Sequence, residues 1–254
     1  MANVATFQLT YHPHNTQEEY DTFIQENCSF YKIDLLVCPP NCDRYFNSFE
    51  DYLSYHKSLA KRHFCMIAPG FFYKDQHHTA LLISPNGDII HQQQQAHLSR
   101  WELRQGLKRG TTLETIDTPI GRIGFIIGTD CFYPQIGRIL GLQGIDIAIA
   151  FYQQPAPYNS WLQMSGVWQQ VQHNQFFAVE AGFNGTLGQE HFAAESIIHQ
   201  PLGENGDGCS QKLKTNQNGF IKCILDQNTL ESIKQKFPIY KYLNRTLYQR
   251  VWGK

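Results

Sequence analysis

The chain consists of short apolar runs separated by amphipathic segments and by turns rich in Gly, Pro and Asn. Bounded apolar runs are typical of buried strands, whereas apolar residues spaced three and four apart are typical of helices. The pattern predicts strands over 4–10, 34–38, 64–67, 79–84, 88–91, 145–151, 176–180, 193–199 and 219–225, and a hairpin over 116–127. It predicts helices over 16–28, 49–61, 136–142, 160–172 and 229–236, and a mobile loop over 203–217. Strands and helices that alternate in this way indicate a layered α/β domain.

One predicted strand ends abruptly. The apolar run 123–127 stops at Gly128-Thr129-Asp130, and a segment that can start a helix follows at Ile136. A buried strand that ends in a tight glycine turn before a helix is where α/β enzymes often place a nucleophile. Cys131 is the obvious occupant of that turn.

Composition and charge narrow the classes of function. The 254 residues, 42% of them apolar, suffice for one large domain over 1–254 with a substantial core. The net charge of −1, without a basic stripe, argues against a nucleic-acid partner. The apolar runs are too short to cross a membrane, and no secretion signal is visible at the start of the sequence. We therefore expect a cytoplasmic protein.

The seven cysteines are scattered and contain no Cys-x-x-Cys pair, so we expect free thiols. One candidate metal site consists of Cys38, Cys42 and Cys131, which could approach one another as ligands. The histidines of 12–14 and 77–78 could also bind a metal, but a simpler interpretation places them in loops. Of the three cysteines, only Cys38 and Cys42 are close in sequence, and no second close pair of ligands completes their set. We therefore expect neither a metal nor a cofactor.

Motifs in a consistent order along nearly the whole chain resemble those of the carbon–nitrogen hydrolase (nitrilase/amidase) superfamily. They are Gln8, 34–39, 78–90, 96–98, 118–124, Asp130 with 133–135, 144–146, Trp161, 174–175, 196–203, 237–238 and 247–248. The resemblance implies a four-layer α-β-β-α sandwich. It also implies a homodimer formed through the outer helices, and hydrolysis of amides or nitriles by a Glu–Lys–Cys triad.

This sequence departs from that triad at all three positions. By the resemblance, Pro40 stands in the place of the Glu, Gln95 in that of the Lys, and Gly128 in that of the Cys. Proline accepts no proton and glycine offers no nucleophile, while Gln95 can still donate a hydrogen bond but carries no charge. A further acidic residue of the family matches Glu102, with slightly altered spacing to Gly110.

Three hypotheses follow. The first is a pseudoenzyme that has lost hydrolysis and either binds a small amide, amine or carboxylate or serves as a partner subunit. The second is a rebuilt active site that uses Cys131 as the nucleophile, together with Glu102 and with His97 as a base. The third is a purely structural subunit with a filled pocket. Packing is the simpler role for Cys131, because a displacement of three residues points its side chain elsewhere.

The positions of the motifs imply which residues surround the former active site. They are Gln95, Glu102, Gly128, Thr129, Asp130, Cys131 and Tyr133. Asp130 is expected to fix the turn by accepting backbone N–H bonds, a role that does not require catalysis. The aromatic residues near the end of the chain, Tyr240, Tyr242, Tyr248 and Trp252, are expected to pack or to contact a partner rather than bind a ligand.

Overall fold

The computed structural model describes residues 1–203, 206–244, 246 and 247. Tyr248 and Trp252 therefore lie outside the described residues. The strands are β1 (Ala2–Gln8), β2 (Thr10–Tyr11), β3 (Leu35–Val37), β4 (Met66–Ala68), β5 (Phe71–Lys74), β6 (His77–Ile83), β7 (Ile89–Gln94), β8 (Ile116–Thr118), β9 (Gly121–Ile127), β10 (Ile147–Tyr152), β11 (Phe177–Gly182), β12 (Asn184–Leu187), β13 (Glu190–Phe192), β14 (Ile197–His199), β15 (Cys209–Lys212) and β16 (Gly219–Leu225).

The helices are α1 (Gln17–Asn27), α2 (Phe49–His63), α3 (Arg100–Arg104), α4 (Pro134–Leu142), α5 (Ser160–Met164), α6 (Val167–Asn174) and α7 (Gln227–Lys236). Two 3-10 turns, Cys42–Tyr45 and Gly128–Phe132, follow strands β3 and β9. None of the described helices has the length and apolar character that a bilayer-spanning segment requires.

Two mixed sheets form the centre of the protein. The first has the order β16-β1-β3-β4-β6-β5, with β7 also paired to β6, and the second has the order β15-β14-β11-β10-β9-β8. Strands β1, β3 and β4 run parallel, as do β9, β10 and β11. A small sheet, β13-β12-β2, lies beside them.

Three apolar clusters show how the layers stack. The central cluster joins the inner faces of both sheets, with Val4 and Val37 from the first and Phe125 and Val179 from the second. A second cluster packs helices α1 and α2 on the outer face of the first sheet. A third packs α4 and α6 on the outer face of the second. The expected four-layer α-β-β-α sandwich is confirmed.

Several local predictions are confirmed. Helix α1 begins with a capping box in which Thr16 and Glu19 each accept from the other's backbone N–H. The hairpin over 116–127 forms as β8 and β9, and the strand over 219–225 is β16 with the predicted bounds.

Three predictions are wrong. The helix over 160–172 is two helices, α5 and α6, separated at Gly166. An added Cβ at Gly166 would lie 3.1 Å from Cys131 Sγ, so this glycine packs closely against the turn after β9. The strand over 193–199 is reduced to β14, and part of the loop over 203–217 is strand β15.

Side chains explain why β14 starts late. The backbone N–H groups of Ala194, Glu195 and Ser196 donate to the side-chain oxygens of Asn184, Gln163 and Gln8, at 3.1, 3.0 and 2.9 Å. Buried N–H groups need partners, and here side chains supply them in place of a neighbouring strand.

Candidate functional site

The turn after β9 is built on a glycine in a left-handed conformation. Gly128 has φ +54° and is buried at the start of the 3-10 turn Gly128–Phe132. Glycine adopts this conformation at little cost, whereas other residues are strained there. The sharp change of direction therefore depends on glycine at this position.

The Gln95 carboxamide packs directly on Gly128. A Cβ added to Gly128 would lie 3.2 Å from Gln95 Nε2, and Gln95 is fully buried. Gln95 Nε2 donates to the His97 carbonyl at 2.7 Å and to Thr129 Oγ1 at 2.7 Å, and lies 3.2 Å from Glu102 Oε1. Gln95 Oε1 accepts from His78 Nδ1 at 2.7 Å. The hydrogen-bonding capacity of the amide is therefore used within the protein.

Glu102 is the charged centre of this network. Helix α3 starts with a capping box in which Ser99 N donates to Glu102 Oε2 at 2.6 Å. His78 Nδ1 lies 3.3 Å from Glu102 Oε1. Burial alone would raise the pKa of this carboxyl, but the hydrogen bonds from His78 and Ser99 outweigh it and lower the pKa to about 2. Glu102 is thus an ionised, bound acceptor at neutral pH.

Asp130 fastens the turn to the segment after β7. Its carboxylate accepts from the backbone N–H groups of Ala96 and His97 at 3.0 and 2.7 Å, and contacts His97 Nδ1 at 3.0 Å. The His97 ring stacks on Tyr133 with 3.8 Å between ring centroids. Burial raises the pKa of Asp130, and the hydrogen bonds from His97 and Ala96 oppose that rise. These contacts hold the turn and His97 together.

Pro40 lies on a different loop, buried after β3. It brings no hydrogen-bonding side chain to the site. The next residue, Asn41, donates from Nδ2 to Gln153 Oε1 at 3.0 Å and so ties this loop to the loop after β10. Of the three positions that the resemblance assigns to the triad, Gln95 and Gly128 lie against each other.

Cys131 is packed behind the turn. Its side chain is 1% exposed and lies in the apolar cluster of α4, α6 and the second sheet. Burial, and secondarily the Glu180 and Asp130 carboxylates, raise its thiol pKa well above the usual value. A thiol in this environment is a poor nucleophile, because it is almost fully buried and stays protonated.

The predicted pocket residues divide into two groups. Gln95, Glu102, Gly128, Thr129 and Asp130 form the hydrogen-bonded turn described above. Cys131 and Tyr133 line a groove of about 780 Å³ between α4 and α6, together with the candidate base His97. The remaining residues lining this groove are Phe132, Pro134, Gln135, Arg138, Ile139, Leu142, Ser165, Gln169, Gln170, His173 and Asn174.

Comparison with known proteins shows which family has this architecture. The family model described as carbon-nitrogen hydrolase matches residues 4–234. The chain belongs to the carbon–nitrogen hydrolase family. It is 24% identical over 206 residues to a probable nitrilase of Schizosaccharomyces pombe, covering 76% of this chain and 72% of that protein.

Solved structures share the fold of this carbon–nitrogen hydrolase family member. Saccharomyces cerevisiae Nit3, a member of branch 10 of the nitrilase superfamily, has TM-score 0.74 and 19% identity, covering 96% of each chain. A carbon-nitrogen hydrolase from Helicobacter pylori G27 has TM-score 0.79 and 15% identity, covering 98% of each. A cysteine-to-alanine mutant of the Nesterenkonia sp. AN1 amidase in complex with butyramide has TM-score 0.75 and 16% identity, covering 99% of this chain and 97% of that one.

Two residues important to the site are not predicted for it by the sequence. The sequence pattern places His78 in a loop, but the alternation of β6 sets it beside Gln95 and Glu102. Gln170 donates from Nε2 to the Cys131 carbonyl at 2.6 Å and so braces the turn from helix α6. A polar residue on the apolar face of a predicted helix is a signal that could have identified Gln170.

In this member of the family, glycine at the turn relieves backbone strain. We expect Gly128→Ala to lower the free energy of unfolding by about 1–3 kcal/mol, because φ is positive and the new Cβ meets Gln95. Urea denaturation measures the loss. Gly188→Ala is the matched control, since Gly188 has φ +61° but nothing within 4 Å of an added Cβ. Unchanged stability in the Gly128 variant would show that the turn carries no strain.

Proposed function

We propose that this carbon–nitrogen hydrolase family member has lost amide and nitrile hydrolysis at the triad position. In this proposal it is a pseudoenzyme that binds a small amide, amine or carboxylate or acts as a partner subunit. The observation that carries the proposal is the pair Gly128–Gln95. The strand end offers no nucleophilic atom, and the adjacent amide already has partners within the protein.

The other groups at the turn also support loss of this chemistry. Thr129 Oγ1 donates to the His97 carbonyl at 2.6 Å and accepts from Gln95, so its hydroxyl is engaged. The burial of Cys131 and its raised thiol pKa disfavour the rebuilt site in which this cysteine is the nucleophile. The Gln95 amide beside Gly128 is compatible with the purely structural alternative.

Incubation of the pure protein with a panel of small amides and nitriles tests the loss of hydrolysis. We expect no turnover above background, since removing the nucleophile of a concerted triad lowers the rate by about 10⁶-fold in other enzymes. Cys131→Ala should behave as the unmodified protein does. Turnover by the unmodified protein that disappears in Cys131→Ala would contradict the proposal and establish the rebuilt site.

The butyramide complex of the Nesterenkonia amidase mutant supports small amides as the first ligands to try. Self-association through the groove between α4 and α6 is part of the same proposal, supported by the exposed side chains of Tyr133, Ile139 and Leu142 at its rim. The mass of the protein in solution tests it. A cytoplasmic location stays a prediction, which imaging of the tagged protein in cells tests.

A further inference from the structure

A buried Glu–His pair lies on the outer face of the second sheet, on strands β11 and β14. Glu180 of β11 and His199 of β14 are both fully buried, and Glu180 Oε2 lies 2.5 Å from His199 Nε2. The other carboxylate oxygen accepts from Gln163 Nε2 of α5 at 3.1 Å. When the carboxylate accepts from a neutral imidazole, Nε2 carries the proton and the lone pair lies on Nδ1.

That second ring nitrogen has no partner. Among the described residues, nothing hydrogen-bonds to His199 Nδ1, although the atom is buried. The two nitrogens of an imidazole point in roughly opposite directions, and β14 lies between β11 and β15 in the sheet. Nε2 is directed at Glu180 of β11, and β15 pairs with the other edge of β14. A buried lone pair without a donor costs about 1–3 kcal/mol, so its retention calls for an explanation.

Two residues with nucleophilic side chains, Cys209 and Ser210, lie on β15 next to His199 of β14. Cys209 is the cross-strand partner of His199, and directly opposed residues share one face of the sheet. The register shifts between Ile198 and His199, which makes Ser210 an extra residue in a bulge. Ser210 Oγ is also buried without a partner in the described structure. Bulges often re-aim side chains beside active sites.

The half-buried Cys209 is the accessible thiol of this group. Burial raises its pKa to about 11, and the carboxylates of Asp207, Glu180 and Glu195 act in the same direction while Lys212 opposes them. Little thiolate therefore forms at neutral pH without help. A reaction at this sulfur needs a base that removes the thiol proton as the new bond forms.

We propose that Cys209, His199 and Glu180 form a nucleophilic site that accepts acyl groups from small activated carbonyl compounds. Cys209 Sγ attacks the carbonyl carbon, an S–C bond forms and the C–O bond to the leaving group breaks. The thiol proton passes to His199 Nδ1 and then to the departing oxygen. Glu180 holds the imidazole in the tautomer that leaves Nδ1 free. The thiol is not hydrogen-bonded to Nδ1 in the resting structure, a looseness common in unliganded sites.

Acetylation by p-nitrophenyl acetate at neutral pH tests this site. Mass spectrometry of the digested protein compares the rates at Cys209 and at Cys223, which is also half-buried but has no His–Glu pair opposite it. We expect Cys209 to be acetylated at least about tenfold faster than Cys223, a lower limit for base assistance. Glu180→Gln and His199→Gln should each lower the Cys209 rate at least about tenfold and leave the Cys223 rate unchanged.

A Cys209 rate equal to or below that of Cys223 would overturn the proposal, as would an unchanged Cys209 rate in both variants. If a variant unfolds, the fully buried Cys38 becomes acetylated and reports it, and the comparison within the unmodified protein still decides. The site shares no residue with the turn at Gly128. Its failure would therefore leave the outcome of the amide and nitrile panel untouched.

Discussion

Replacing His199 alone with leucine is expected to lower the free energy of unfolding by about 3–5 kcal/mol. The change leaves the fully buried Glu180 carboxylate with Gln163 as its remaining side-chain donor. An uncompensated charge in an apolar layer is far more costly than a lost contact, since desolvation is no longer offset by the opposite partner. Denaturation in urea, monitored by circular dichroism, measures the loss.

The double variant Glu180→Leu/His199→Leu is the decisive comparison. It removes both polar partners from the outer face of β11 and β14, so neither is left unpaired, and we expect it to lose less stability than His199→Leu. The pair Lys212–Glu195, at 3.4 Å, provides the control, because its lysine is exposed to solvent. Lys212→Ala should cost about 0–1 kcal/mol. Additive losses in the double variant would mean that the two side chains stabilise the fold independently.

Much of the fold could be predicted because its signals are local. The Thr16–Glu19 capping box and the Gly121 turn between β8 and β9 depend on residues a few positions apart. Strand β5 could not be predicted, because its second half, Tyr73 and Lys74, is exposed and does not extend a buried apolar run. The close packing of Gly166 against Cys131 could not be predicted either, because the two residues are distant in sequence.

The candidate site also has features that the sequence predicts and features that it does not. The glycine at position 128 can be read from the sequence, but its contact with Gln95 depends on how β7 and β9 are placed in three dimensions. The Glu180–His199 pair joins residues 19 positions apart on separate strands. Glu180 does interrupt an otherwise apolar strand, and a charge in such a run calls for a partner. Nothing in the sequence says which residue that partner is.

Acid is expected to remove a specific contribution to stability that depends on Glu102. Its pKa in the folded protein is about 2, against the usual 4.5. A carboxyl whose pKa is lowered on folding stabilises the protein above its unfolded pKa, and this contribution is lost as the pH falls through the folded pKa. The difference corresponds to about 3 kcal/mol at neutral pH, since one pKa unit is about 1.4 kcal/mol. The loss should fall between about pH 4.5 and pH 2.

The variant Glu102→Gln isolates this contribution, because it keeps the size of the side chain and removes its charge. We expect it to be about 3 kcal/mol less stable than the unmodified protein at pH 7, with the two stabilities converging near pH 2. Glu19→Gln is the matched control, since Glu19 occupies the same position in the exposed capping box of α1. That variant should keep the steep loss of stability in acid. A stability difference for Glu102→Gln that stays constant from pH 7 to pH 2 would show that the ionised carboxylate does not hold His78, Gln95 and Ser99 together.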